Sequence, residues 1–195
     1  TAALELGIDV NAMDENRKTP LAYALEINLL DMACILLEAK GISADIELLN
    51  KSLIYAVSVM HNDAVALLIS VSGIDVNAQD AQGKTALMHA VDNSDGDMVK
   101  KLLSEYGADA NAPGRNRYTA LMHAVDNRNA VMVDRLLGYG RINVNAQDAQ
   151  DKTALMHAAE KGHDAIVKRL LEAAGIELNI QDDHGNTALD LLKFN

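Results

Sequence analysis

Thr85-Ala-Leu-Met-His-Ala90 decides the fold, because the same six residues return at Thr119–Ala124 and Thr153–Ala158, with a period of 34. Looser copies stand at Thr19–Ala24 (TPLAYA), Lys51–Ala56 (KSLIYA) and Thr187–Leu192 (TALDLL). Self-similarity at a fixed period marks a repeat architecture, in which each unit leans on its neighbours. Eight residues ahead of each Thr lies an Asn within a DVNA-like tetrapeptide: Asn11, Asn77, Asn111, Asn145 and Asn179. Beyond each Ala comes a second apolar block, such as Met98-Val99-Lys-Lys-Leu102-Leu103, Met132-Val133-Asp-Arg-Leu136-Leu137 and Ile166-Val167-Lys-Arg-Leu170-Leu171.

One unit reads directly. Thr, once followed by Pro (Thr19-Pro20), is an N-cap that starts a short helix. A loop of the Ser-Asp-Gly or Lys-Gly-His type ends it, and a second helix follows with its Val/Leu stripe at helical spacing. Gly7, Gly41, Gly73, Gly107, Gly140 and Gly175 are placed to stop that second helix. Polar turn residues such as Asn-Ala-Gln-Asp-Ala-Gln-Gly then lead into the next unit. Neither helix can bury its apolar face alone; stacked neighbours do it for each other.

The unit D-x-x-G-x-T-A-L-M-x-A…(I/V)V-x-x-LL…G-(A/I)-D-V-N-A resembles the ankyrin repeat, in register along essentially the whole chain. The resemblance implies an all-α, ankyrin-repeat solenoid of stacked helix-turn-helix units with projecting β-hairpin loops. First helices and hairpin tips would line a concave surface. We read residues 1–195 as a single ankyrin-repeat domain: a partial unit at 1–13, repeats at 14–46, 47–79, 80–113, 114–147 and 148–181, and a partial cap at 182–195. The first unit begins inside a second helix, around Ala3-Leu4, which is the pattern of a fragment of a longer array or multidomain protein.

The departures from the family pattern carry expectations of their own. The family often has His three residues after the Thr, hydrogen-bonded within the turn. Here the slot holds Ala22, Met88, Met122, Met156 or Asp190, so that polar network is expected to be absent. The hairpin Gly, kept at Gly83 and Gly185, becomes Arg17, Arg117 and Asp151 elsewhere, and the preceding Asn16 or Asn116 is expected to take the left-handed conformation instead. The join Gly41-Ile-Ser-Ala-Asp-Ile-Glu-Leu-Leu-Asn50 is two residues short and places Leu48 and Leu49 where polar tip residues belong, so that finger is expected to be degenerate.

Composition narrows the function. Lys+Arg number 17 against 28 Asp+Glu, a net charge of −11, which argues against a nucleic-acid-coating surface because such surfaces neutralise phosphates. Hydrophobic residues make up 49% and aromatics only 3%, so the core must be built from Leu, Ile, Val, Ala and Met. The lone Cys34 excludes an intramolecular disulfide and fits a reducing, cytoplasmic setting. No apolar run exceeds six residues, far short of the ~20 that span a bilayer. No signal peptide is visible, although the chain opens on Thr1, so a secreted effector stays open.

A column of His invites a chemical reading. His89, His123 and His157, with Tyr23 and Tyr55 in the same slot, stand one residue before the repeat's Ala and face away from the core. Each His has an acid three residues later, giving His89–Asp92, His123–Asp126 and His157–Glu160, with Tyr23–Glu26 alongside. Such pairs can orient a general base. No nucleophile recurs beside them, so a surface pattern is the reading and no catalytic residue is assigned. Neighbouring helices sit ~8–10 Å apart, too far for equivalent His to share one zinc at ~2 Å per bond, so no metal or cofactor is expected. His61, His163 and His184 read as local hydrogen-bonding residues. Cys34 has no adjacent base to activate it, the eight Met read as core, and the DVNA Asn residues read as staples between hairpins. No phosphate loop, G-x-G-x-x-G or C-x-x-C is present.

The family's partner-binding face falls on Glu26, Asp92, Asn93, Asp126, Asn127, Glu160 and Lys161 of the first helices, and on Lys84, Tyr118 and Lys152 of the tips. With Tyr23, Tyr55, His89, His123 and His157 these make the candidate site, an acidic helical stripe with basic fingers. Tyr23, Tyr55 and Tyr118 are the expected anchors, and the His column a source of pH sensitivity. The function expected is a non-catalytic protein–protein interaction module for a protein partner with a basic patch, acting as a monomer. The alternatives are a regulatory or targeting region of a larger enzyme or effector, and a small or anionic ligand on the concave face.

Overall fold

Four of the first helices start because a Thr hydroxyl accepts the backbone N–H three residues on. Thr19, Thr85, Thr119 and Thr153 take those of Ala22, Met88, Met122 and Met156 at 3.2–3.3 Å. The structure, a computed structural model, describes residues 10–16, 18–38 and 44–192. Gly7, Gly41, Arg17 and the opening around Ala3-Leu4 lie outside the described residues. The chain divides into two compact units, 1–80 and 81–195.

The first unit contains α1 (Pro20–Glu26), α2 (Leu30–Leu37), α3 (Ile46–Ser58) and α4 (Asn62–Ile69). α1 packs on α2 and α3, and α4 on α2 and α3. The degenerate finger is resolved as helix: Asp45 caps α3 by accepting from Glu47 N–H and Leu48 N–H, and α3 runs straight through the residues that a hairpin tip would occupy. Leu49, wholly buried, explains this, since an apolar side chain at a tip finds cover only by turning inward.

The second unit contains α5 (Ala86–Asp92), α6 (Gly96–Ser104), α7 (Ala120–Asp126), α8 (Ala130–Gly138), α9 (Ala154–Glu160), α10 (Asp164–Leu171) and α11 (Ala188–Leu192). First helices stack on first helices, α5 on α7 on α9 on α11, and α8 stacks on α10. Ala90, Ala124 and Ala158 are wholly buried where those helices meet, and Leu102, Leu136 and Leu170 likewise on the second helices. Small residues between close helices leave no room for rings, which accounts for the near absence of aromatics from the core.

Four expectations are refined. Among the described residues there are no strands, and the loop entering α9 closes with a single antiparallel bridge, Gln147↔Thr153, so the fingers are turns and not extended hairpins. The polar turn network is not lost with the family's His, because the Sδ atoms of Met122 and Met156 accept the Thr119 and Thr153 N–H at 3.4 Å, and the Asp190 carboxylate accepts that of Thr187 at 3.1 Å. Asn116 takes positive φ (58°), but so does Arg117 (60°), whose guanidinium donates to the Asp148 carbonyl and to the Asp151 carboxylate of the next finger. Gly73, Gly107, Gly140 and Gly175 take positive φ in the turns beyond the second helices, which end two to four residues earlier.

Fingers and staples hold the second unit in register. Arg115 N–H donates to Gly83 O, Ala149 N–H to Asn116 O and Asp183 N–H to Gln150 O, at 2.7–3.1 Å, so each finger hangs from the one before. The Asn111 amide donates to Arg141 O and accepts from Asn143 N–H, and Asn145 makes the same pair with Gly175 O and Glu177 N–H, as the staple reading requires.

Candidate functional site: the finger and first-helix face

In each unit a finger is built around an Asp five residues before the capping Thr. Asp14, Asp148 and Asp182 each turn one carboxylate oxygen back onto two N–H groups of their own finger, at 2.8–3.0 Å. The second oxygen of Asp148 receives His157 Nε2 at 2.8 Å, and that of Asp14 receives the Tyr23 hydroxyl at 2.5 Å. A finger Asp thus fixes the ring nine residues later on the first helix. Asp148 is all but inaccessible, yet every polar atom it carries is used.

The finger of residues 114–118 breaks this rule in an informative way. Its Asp slot is Gly114, where a Cβ would lie 2.8 Å from Gly83 O and 2.9 Å from Met88 Sδ, so no larger residue fits. Without a finger carboxylate, His123 turns to the previous repeat and meets Asp92 through Nδ1 at 3.2 Å. Asn127 donates to the same oxygen at 2.8 Å, and Lys84 takes the other at 2.6 Å. These partners hold the Asp92 carboxyl well below the ordinary carboxylate range, outweighing a burial that acts the other way.

Tyr118 occupies the tip position just before the capping Thr119. Its ring lies between the imidazoles of His123 and His157, edge-on to both, with centroids 5.3 and 5.2 Å away. Its hydroxyl donates to Asp126 at 2.6 Å, and the other oxygen of Asp126 faces Lys161 Nζ at 2.7 Å. Burial first, then the bond to Asp126 and the charges of Asp148 and Glu160, push the phenol far above its usual range. Two imidazoles with a phenol ring between them cannot converge on one ion without expelling it.

The His–acid pairs are therefore not those of sequence spacing. His123 meets Asp92, not Asp126, and His157 meets Asp148, not Glu160. Helical Cα–Cβ bonds tilt toward the N-terminus, so a side chain leans toward the finger and away from the acid one turn later; His123, whose finger carries no Asp, crosses to the preceding repeat instead. The acidic stripe and the basic fingers also turn out to be one set. Lys18 pairs with Glu26, Lys84 with Asp92 and Lys152 with Glu160, at 2.6–2.8 Å.

The remaining candidates lie where the helices put them. His89 is half-buried and Asn93 exposed on α5. Tyr23 is exposed beneath Lys18, whose Nζ lies 5.4 Å from the ring centroid, and Tyr55 is exposed on α3, which has no finger to hold it. Of the three expected anchors Tyr118 is the least available. His61 caps α4 through Nδ1, a local role, but its Nε2 reaches Asp31 of the preceding repeat and His163 Nδ1 donates to Val125 O of the preceding repeat at 3.0 Å, so these rings bond between repeats as well as locally. Burial, then the charges of Asp31, Glu38 and Asp63, push the Cys34 thiol up, away from reactivity.

Two features escape sequence reading. Asp148 as a ring-holder could have been found from the recurrence of Asp five residues before Thr. The grouping of Asp182, Asp183 and His184, with ligand-type atoms within 4.8 Å of one another, comes from a tip turn in which the Asp182 carboxylate already serves His184 N–H and Asn186 N–H.

A family model described as ankyrin repeats (3 copies) matches residues 42–114 and 107–182. The chain belongs to the ankyrin repeat family. Such repeats are generally protein–protein interaction modules, and the family is typically non-catalytic. No curated protein matches the chain. Among the described residues, no helix is long and apolar enough to cross a membrane.

Proposed function

We propose that residues 81–195 present a preset recognition face to a protein partner, through Lys84, Asp92, Tyr118, His123, Asp126, Asn127, His157, Glu160 and Lys161. The observation that carries this is the bonding of Asp92 on α5, which gathers Lys84 from its own finger and His123 and Asn127 from the next first helix, α7, and its C-cap. Side chains that are already ordered lose little entropy on binding, so contacts convert more fully into affinity. Because the carboxylates of the face are ion-paired, it offers fixed donors and acceptors and selects a partner by their pattern. Net charge plays the smaller part there. The face acts without chemistry of its own.

Affinity capture with the intact chain tests this against His123→Ala/Asn127→Ala/Lys161→Ala. The expected result is loss of the partners while the helical circular-dichroism signal is retained. Recovery of the same partners by both proteins would place the contact elsewhere.

A further inference from the structure

The first unit carries a different surface. Leu29, Met32, Ile35 and Val59 are 52%, 49%, 53% and 45% exposed, and with Tyr55 and His61 they line an open groove of about 430 Å³. Ile27 and Met60 continue the apolar area beyond it. Large contiguous apolar patches on a soluble surface mark places where something binds.

The sequence accepts a cost to make this groove. Position 29 is the N-cap of α2, and its backbone (φ −79°, ψ 74°) matches the caps at His61, Asp95 and Asn129. Those three side chains each accept a backbone N–H, whereas Leu29, like His163 at the matching cap of α10, makes no such bond. A missing cap costs about 0.5–2 kcal/mol. Position 35 is likewise apolar where the matching residues of α6, α8 and α10 are Lys101, Arg135 and Arg169.

Charge identifies the occupant. Residues 1–80 contain 12 Asp+Glu and 4 Lys+Arg, a net charge of −8 out of the chain's −11. The Asp31 side chain is 94% exposed, and Asp31, Glu38 and Asp63 all act on Cys34, next to Ile35. The described cations of this unit, Lys18 and Lys51, are each within 2.7 Å of a carboxylate, Glu26 and Glu47. An apolar floor with carboxylates around it matches a segment that is apolar on one side and basic on the other. The described residues of the unit form no strand, so there is no open edge to pair with an extended peptide. A helix satisfies its own backbone and can lay one apolar face into such a groove.

We infer that this groove docks a basic amphipathic helix of a partner protein, with apolar anchors on Leu29, Met32, Ile35 and Val59 and with Lys or Arg facing Asp31 and Asp63. The inference does not rest on the face proposed above, whose residues all lie in the other unit.

The probe is a synthetic peptide of ~18 residues, with Leu along one helical face and Lys on the rest. Its binding to the full chain is read by fluorescence anisotropy. Saturable binding is expected, weakening by about tenfold or more in Met32→Lys/Ile35→Lys, and weakening as salt is raised because exposed charges are screened. A scrambled peptide of equal charge but no apolar stripe should bind at least about tenfold less tightly. If the lysine variant does not fold, Asp31→Asn/Asp63→Asn keeps the apolar floor and should flatten the salt dependence. Equal binding of both peptides would reduce the effect to bulk charge and overturn the inference. So would unchanged binding to the variants, or no saturable binding. A self-associated chain that Met32→Lys/Ile35→Lys dissociates, seen by sedimentation, would assign the groove to a second copy and overturn it too.

Discussion

The two units are written in the same repeat language and differ in how much of it is polar grammar. In residues 81–195 every first helix opens on Thr, the fingers hang from one another by backbone bonds, and Asn111 and Asn145 staple successive turns. The charge there is nearly balanced, 16 Asp+Glu against 13 Lys+Arg. In residues 1–80 one finger is replaced by helix, a cap is apolar, and acids outnumber bases three to one. Both bury the same kind of apolar stripe. The polar residues decide whether the surface is preset and near neutral, or open, apolar and acidic.

The sharpest way to break this comparison is in the core that the units share as a design. Leu136→Ala, at a wholly inaccessible position of α8, should cost about 2–5 kcal/mol in denaturant unfolding. Next comes the finger that depends on glycine. Gly114→Ala must push Gly83 O or Met88 Sδ aside and should cost about 1–3 kcal/mol, with faster hydrogen exchange at Arg115 N–H.

Caps sharpen the contrast from both sides. Thr119→Ala should destabilise by about 0.5–2 kcal/mol, while Leu29→Asp should stabilise by about as much, by supplying the bond its repeat lacks. A Leu29→Asp chain no more stable than the parent would mean that the apolar contacts of Leu29 stabilise α2 as much as a cap would. A smaller gain is stored in the turns between helices. Met60 (φ 58°), Ser94 (58°) and Arg128 (53°) take the left-handed conformation that Gly162 (64°) takes in the corresponding turn of the last full repeat. Arg128→Gly should therefore raise stability by about 0.5–1 kcal/mol, read as a shift in the unfolding midpoint.

Acid gives the smallest and most local effect. Asp92 has a folded pKa depressed below its unfolded value of ~3.9. Its contribution is thus complete above that value and is lost as pH falls below about 4 toward the folded pKa. Asp92→Asn should make the acid decline in stability shallower, with no change in its slope above pH ~5. An identical acid profile would mean that Asp92 binds its proton equally well folded and unfolded, so that Lys84, His123 and Asn127 do not favour its charged form.

Much of this was legible in advance. The repeat, the Thr caps, the Asn staples and the degenerate finger all follow from spacing, because each is set within one unit or between identical units. The partners of the His column were not legible. Which carboxylate His123 meets depends on Gly114 standing where other fingers carry Asp, and on Asp92 of the previous repeat lying within its reach. The sulfur acceptors at Met122 and Met156 were hidden for a similar reason, since Met normally reads as core filling.

The sequence alone determined the class of architecture, the helical stripes, the aromatic-poor core and the concentration of negative charge in residues 1–80, all of which are local or additive properties of the chain. Only the tertiary structure decided that the acids of the first helices are paired with the fingers, that Tyr118 separates two imidazoles, and that Leu29, Met32, Ile35 and Val59 share one groove. Those are distances between residues far apart in the chain. They are fixed by how the helices lean and stack, which a period of 34 residues specifies in kind but not in place.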